Sequence, residues 1–306
     1  MYSKMKTYPF IENYYRKMPI GESYSRRMEK LRDALDRAEY VVIGAGAGLS
    51  AAAGLEYSGR RFTDHFGDFI RRYGFTDLYT SSFYPFRTEE ERWAYWARHI
   101  RLNCYDEAGT ELYRMLLRAV ERKEWFVITT NVDGQFEKAG FDRERIFAVQ
   151  GDYAYLQCAE ACHDRLYYNE ALVREMSRKT EDCRIPSSLV PHCPVCGGAM
   201  EVNLRKDDNF VQDAHWYESH VRYRTFMQKA CTRNTLLLEL GVGYNTPAII
   251  RFPFEQMASQ ADNITLARIN RDYTETQAPV HTFIPFREDM DKILIDILKQ
   301  TGMRDK

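Results

Sequence analysis

Apolar runs of strand length recur along the chain: YVVIGA (40–45), WFVITT (125–130), RIFAVQ (145–150), TLLLELG (235–241), ITLARIN (264–270) and HTFIPF (281–286). Several are apolar almost throughout, without alternation, as strands buried on both faces are. Stretches with helical spacing lie among them: MEKLRDALDRA (28–38), AGTELYRMLLRAVER (108–122) and DMDKILIDILKQ (289–300). Helices alternating with apolar strands predict an α/β fold built on a mainly parallel sheet. Two stretches break the rhythm. Residues 57–107 are aromatic and charged, with a helix expected at WAYWARHI, and residues 152–230 are polar and carry most of the cysteines. Both are expected to form a smaller second domain, set against a large domain of residues 1–56, 108–151 and 231–306.

With 306 residues, 44% of them hydrophobic and 14% aromatic, the chain can build a sizeable core. Lys and Arg total 43 against 44 Asp and Glu. A chain so balanced lacks the bulk positive field of a nucleic-acid binder, and no nucleic-acid partner is expected. No apolar run approaches the roughly 20 residues of a membrane span, so no membrane association is expected either. The opening MYSKMKTYPF lacks the apolar centre of a signal peptide, which predicts a cytoplasmic protein.

The cysteines sharpen this picture. Cys158 and Cys162 form one close pair, Cys193 and Cys196 another, about thirty residues on. Two tight pairs of thiolates suit tetrahedral zinc, and four protein ligands leave no open position for a substrate. The expected zinc is therefore structural and clamps residues 152–205. His163 and His192 stand beside ligand cysteines as possible substitutes. Cys104, Cys183 and Cys231 read as free thiols.

Two further stretches carry candidate chemistry. VVIGAGAGLSAAAGL (41–55) reads as strand, glycine turn and small-residue helix, which lets a backbone approach a nucleotide's phosphates at a helix N-terminus. The strict dinucleotide fingerprint fails at Leu49; a looser version ends at Ala51. No acidic strand end follows where a dehydrogenase would hold its ribose. The competing reading is a Gly/Ala run that only packs helix on strand. In TTNVDGQFEKAG (129–140), Asn131 and Asp133 project from the end of the WFVI strand, where open α/β sheets bind ligands. The same pair can simply cap a helix starting near Gly134.

Taken in order, these stretches resemble the sirtuin family. GAGLSAAAGL is similar to its G-A-G-I-S-x-x-x-G-I motif at Gly46, Ala47, Gly48, Ser50 and Gly54. TTNVDGQFEKAG is similar to T-Q-N-I-D-x-L-H-x-x-A-G and keeps Asn131 and Asp133, although Gln135-Phe136 replaces its L-H. The cysteine quartet follows, GVG (241–243) stands for the family's G-T-S, and IN (269–270) recurs near the end. The resemblance implies a Rossmann-like domain binding NAD, a small zinc-bearing domain, and a cleft between them. It places Asn131 and Asp133 at the nicotinamide, Gly241 and Gly243 near the phosphates and ribose, and Asn270 on the adenosine side. Arg61, or its neighbour Arg60, stands for the arginine of the cofactor loop, because EYSGRRF replaces the usual P-D-F-R.

One departure bears on the reaction. Deacylating sirtuins have a histidine, followed by glycine, where this chain has Gln150-Gly151. That histidine deprotonates a ribose hydroxyl; a glutamine amide can hydrogen-bond the hydroxyl but cannot take its proton. The substitution, with NLRKDDNFVQDAHW (203–216) and GVGYNTPAIIRFPFE (241–255), resembles the class-M microbial sirtuins, found with macrodomain proteins. That subgroup implies a protein ADP-ribosyltransferase with Asn131, Asp133 and Gln150 at its catalytic centre. It also implies a lipoyl-carrier protein, similar to the glycine-cleavage H protein, as acceptor, and a macrodomain hydrolase that removes the mark. Alternatives are a deacylase using another base, an NADase, and a sensor that binds NAD without turnover. The stretch DNFVQDAHW reads equally as part of the acceptor cleft or as a linker.

Overall fold

The computed structural model describes residues 20–106, 109–277 and 279–300. The opening stretch read for a leader, and residue 108 of the second expected helix, lie outside the described residues. Six strands form one sheet: β1 (Tyr40–Ala45), β2 (Glu124–Thr129), β3 (Ile146–Ala148), β7 (Thr235–Leu240), β8 (Ile264–Ile269) and β9 (Thr282–Phe286). Their order is β3-β2-β1-β7-β8-β9, and β1–β7, β7–β8 and β8–β9 pair in parallel. A smaller sheet, in the order β5-β4-β6, is antiparallel and is built from β4 (Gly151–Cys158), β5 (Tyr167–Tyr168) and β6 (Met200–Leu204). All six apolar runs thus enter the large sheet.

The described chain falls into two compact units. Within the described residues, the first comprises residues 20–49, Arg118–Ile128, and residues 224–277 and 279–300. Its helix Tyr24–Arg37 begins at Ser23, whose side chain accepts a hydrogen bond from the Arg26 N–H, and buries Met28, Leu31, Ala34 and Leu35 along one face. Two charged residues interrupt the apolar runs, Glu239 in β7 and Arg268 in β8. They are direct cross-strand partners, both fully buried, and joined by two hydrogen bonds of 2.7 and 2.9 Å. Glu255 accepts another from Arg268 at 2.8 Å. Ions in such a place persist only as a matched set, since deleting one partner strands the other at a cost of about 3–5 kcal/mol.

The second unit comprises Ser50–Leu117 and Thr129–Tyr223. Its core is aromatic, with Phe62, Phe66, Phe69, Trp93 and Tyr95 at the centre. WAYWARHI lies in the helix Glu89–Ile100, which Thr88 caps and which runs into a π-helical turn at Arg101–Tyr105. GDYAYLQC, after Gln150, is strand β4. The helix Ala214–Ala230 escapes sequence reading because its apolar residues are scattered around the axis and form no single stripe.

Candidate functional site

In the first unit, the turns after β1, β7 and β8 meet at the carboxyl ends of the strands. Gly46 N–H donates to Leu240 O, Gly48 N–H to Gly241 O and Gly241 N–H to Ile269 O, each at 2.9–3.0 Å. A Cβ on Gly46 would lie 2.8 Å from Gly241 O, and one on Gly48 2.7 Å from Gly241 Cα. Gly241 itself has φ +61, a conformation that favours glycine. These three glycines are required by the close approach of one turn to another. Gly243 is different: nothing lies within 4 Å of a Cβ there, so the chain offers open backbone at that point. Asn270 donates to Val242 O at 2.8 Å and accepts from Asp272 N–H and Tyr273 N–H. It shapes both turns at once. The glycine edge therefore fits a nucleotide lying across strand ends, which is where doubly wound sheets bind one.

Ser50, in the helix Ala47–Ala52, belongs to the second unit, where it meets Asn131 and Asp133. Its hydroxyl donates to Asp133 Oδ2 at 2.5 Å and lies 2.7 Å from the Tyr113 hydroxyl. Asn131 Nδ2 donates to the Ser50 oxygen at 3.1 Å and to that of Tyr113 at 3.3 Å. Asp133 Oδ1 accepts the Gln135 N–H at 3.1 Å, so this carboxylate caps a helical turn and anchors the polar cluster together. Burial raises the pKa of Asp133, while the Ser50 hydroxyl, the Gln135 N–H and Lys138 pull it back. All four side chains of the cluster are buried. Tyr113 was not foreseen: in ELYRMLLRAV its spacing reads as ordinary helical core.

Gln150 sits just past β3. Its carbonyl accepts the Arg205 N–H at 2.9 Å, and its side-chain Oε1 is buried with no hydrogen-bond partner. A buried acceptor left open in this way is the kind of group that a bound donor satisfies. Gly151 has φ +100, and a Cβ there would meet Asn203 O at 2.0 Å. Only glycine fits after Gln150. Gly151 and Asp152 line a pocket of about 30 Å³ with Asn131, Asp133, Gln135 and Glu137, room for about one water.

Asp152 is a second unforeseen member. Burial pushes its carboxyl up to about 6, and Glu137 adds to this, while the Ala154 N–H works against it. The ordinary carboxyl value is 3.8. Between those values the folded chain holds the proton more tightly than the unfolded chain does. Stability therefore falls as pH rises through that window and stays lower above it. Asp152→Asn keeps an acceptor for the Ala154 N–H and removes the charge. It is expected to raise stability by about 1–2 kcal/mol at pH 7.5 and to leave it unchanged at pH 4, as urea denaturation at the two pH values will show.

Of the two arginines considered for the cofactor loop, Arg61 is held by Asn103 Oδ1 and Leu102 O, each at 2.8 Å. Arg60 is exposed. Gly54, with φ +88, ends the small-residue helical turn in open space.

The four cysteines converge. The sulfurs of Cys158, Cys162, Cys193 and Cys196 all lie within 4.8 Å of one another, and Cys158–Cys196 and Cys162–Cys193 are each separated by 3.7 Å. Tetrahedral zinc with Zn–S bonds of about 2.3 Å needs sulfur separations of about 3.8 Å. The site fits the metal. Cys158 closes β4, while Cys193 and Cys196 share a tight turn in which Gly197 N–H donates to Cys193 O and Gly198 N–H to Cys196 Sγ. His163 Nε2 stands 3.7 Å from Cys193 Sγ and 2.9 Å from the Tyr167 hydroxyl, a neighbour of the centre outside its four thiolates.

A glycine turn at the carboxyl edge of a parallel sheet, together with a four-thiolate module, defines a Rossmann-like α/β protein with a structural zinc site. Residues 46–234 match the model of the Sir2 family, and the chain belongs to that family. It is 36% identical over 282 residues to a Staphylococcus aureus protein named "Protein ADP-ribosyltransferase", covering 92% of this chain and 90% of that one. It is 30% identical to a Fusarium oxysporum f. sp. cubense protein named "Probable bifunctional ADP-ribose hydrolase/ADP-ribosyltransferase", covering 82% of this chain and 43% of that longer one. A solved structure described as "Sir2-p53 peptide-NAD+" shares the fold with a TM-score of 0.56 at 16% identity, covering 90% of this chain and 99% of that chain. Among the described residues, no helix is long and apolar enough to cross a membrane.

Proposed function

We propose that this protein is an NAD-dependent protein ADP-ribosyltransferase. It breaks the nicotinamide–ribose bond of NAD and joins the ADP-ribosyl group to an acceptor protein, releasing nicotinamide. The names of both relatives support the reaction class. The observation that carries the reading is Gln150, whose Oε1 is buried and open. It can accept a hydrogen bond from a ribose hydroxyl but cannot remove that proton.

The remaining roles follow from chemistry. The transition state places positive charge on the ribose, and the buried carboxylate of Asp133 opposes it with a negative charge held by Ser50 and Gln135. Asn131 orients the nicotinamide carboxamide or a ribose hydroxyl. Glycines 46, 48, 241 and 243, with Ala47, Ser50, Gly54, Arg61 and Asn270, hold the dinucleotide. An acceptor that arrives already ionised, such as a carboxylate, needs no base from the enzyme. The acceptor in this reading is a lipoyl carrier of the H-protein type. A macrodomain hydrolase reverses the mark, a pairing supported by the relative whose name joins hydrolase to transferase. Reduced cysteines ligating zinc suit a cytoplasmic setting.

Gln150→His tests this reading. The wild type is expected to deacylate an acyl-lysine peptide at least about 10²-fold more slowly than it labels its acceptor, and Gln150→His to gain peptide deacylation. Wild-type deacylation as fast as protein labelling, followed by liquid chromatography of the peptide, would sink the proposal in favour of a deacylase with another base.

A further inference from the structure

The segment 203–216, whose DNFVQDAHW part is ambiguous as sequence, is a strap hydrogen-bonded onto the Gln150 strand end. Buried Gln157 sits inside it: its Oε1 accepts from Asn203 Nδ2 at 2.7 Å and Val211 N–H at 3.0 Å, and its Nε2 donates to Asn209 O at 2.7 Å. A loop fastened around a buried amide holds one shape and can present a side chain without further ordering. Two bonds tie the strap beside Gln150: Arg205 N–H to Gln150 O at 2.9 Å, and Trp216 Nε1 to Val149 O at 3.3 Å.

Arg205 is the residue this construction displays. Its side chain is exposed, and its guanidinium lies 5.3 Å from the centre of the Phe210 ring and 5.9 Å from that of Trp216. Trp216 in turn packs edge-on against Phe147 at 5.1 Å. The next residue in the chain, Lys206, is neutralised by Glu201. No described carboxylate pairs with Arg205. An exposed arginine beside two aromatic rings keeps its planar donor fork available, which matches a carboxylate through two parallel hydrogen bonds.

We infer that Arg205, on its Phe210–Trp216 shelf, is the docking contact for a carboxylate-bearing segment of the acceptor protein, one backbone hydrogen bond from Gln150. This rests on the transferase reading above. In the transfer, an acceptor carboxylate oxygen forms the new bond to ribose C1′ as the C1′–nitrogen bond breaks. That bond's electron pair neutralises the pyridinium nitrogen, and nicotinamide leaves neutral with no proton moved. Arg205 acts as a positioning residue for the anionic acceptor and makes no contact with the reacting atoms.

The test uses hexaglutamate as probe and hexaglutamine as control, with the full chain as wild type, Arg205→Ala and Arg205→Lys, and calorimetric binding as readout. Wild type is expected to bind hexaglutamate but not hexaglutamine. Arg205→Ala should weaken that binding about tenfold, the lysine variant should fall between, and the affinity for NAD should not change. In protein labelling, Arg205→Ala should raise the KM for acceptor and leave kcat within about twofold. Equal hexaglutamate binding by wild type and Arg205→Ala, or no binding by either, overturns the assignment. So does a loss confined to NAD affinity. Failure of the transferase reading has a separate signature: nicotinamide release with no labelled protein, whatever the peptide binding.

Discussion

Asp133→Asn is expected to slow nicotinamide release roughly 10²- to 10³-fold without lowering thermal stability. The side chain is buried, donated to by the Ser50 hydroxyl and the Gln135 N–H, and burial already raises its pKa. Asparagine keeps one oxygen for the Gln135 N–H, turns an amide N–H toward the Ser50 oxygen in place of the accepted bond, and removes a charge whose burial is unfavourable, so the folded state about breaks even. The reaction loses, because the positive charge growing on the ribose no longer faces a fixed negative one. The two effects separate a catalytic carboxylate from a capping one. Stopped reactions with quantified nicotinamide give the rate and calorimetry gives the stability. A variant as active as wild type would return Asp133 to the role of helix cap.

The second large effect concerns the thiolate centre. Cys158 ends β4 and Cys196 lies in the turn before β6, so zinc held by the four thiolates would fasten the loops of the second sheet to one another. Structural zinc typically contributes on the order of 10 kcal/mol to a small module. One zinc per chain is expected by elemental analysis. Cys158→Ser, or prolonged treatment with a chelator, should lose the metal, lower the thermal midpoint and abolish protein labelling together. A zinc-free chain with unchanged melting would contradict a structural role for the metal.

What could be read from sequence followed from local pattern. Apolar runs of strand length mark strands, several of them covered on both sides, and all six entered the sheet. Cysteine spacing is a ligand pattern that needs no tertiary knowledge. What could not be read depends on register or on burial. Glu239 and Arg268 look like flaws in two apolar runs until β7 and β8 align and set them side by side. Tyr113 sits at helical core spacing, and only the fold turns its hydroxyl to Ser50. Asp152 looks like an exposed polar residue after a glycine, yet it is half-buried and lines one pocket with Asn131 and Asp133. Glycines 46 and 48, read as a phosphate cradle, prove to be demanded first by the backbone of Gly241. The strap at 203–216 combines charged and aromatic residues without period, and it is fastened around Gln157, some fifty residues earlier in the chain.

In the proposed function, a chain with glutamine in place of the base transfers ADP-ribose to protein. The most direct measurement is intact-protein mass spectrometry of a lipoylated H-type carrier after incubation with the enzyme and isotopically labelled NAD, with nicotinamide quantified in the same tube. The expected result is a carrier heavier by one labelled ADP-ribosyl group, matched by an equal amount of nicotinamide. An unmodified carrier beside released nicotinamide and free labelled ADP-ribose, or NAD left intact throughout, would contradict it.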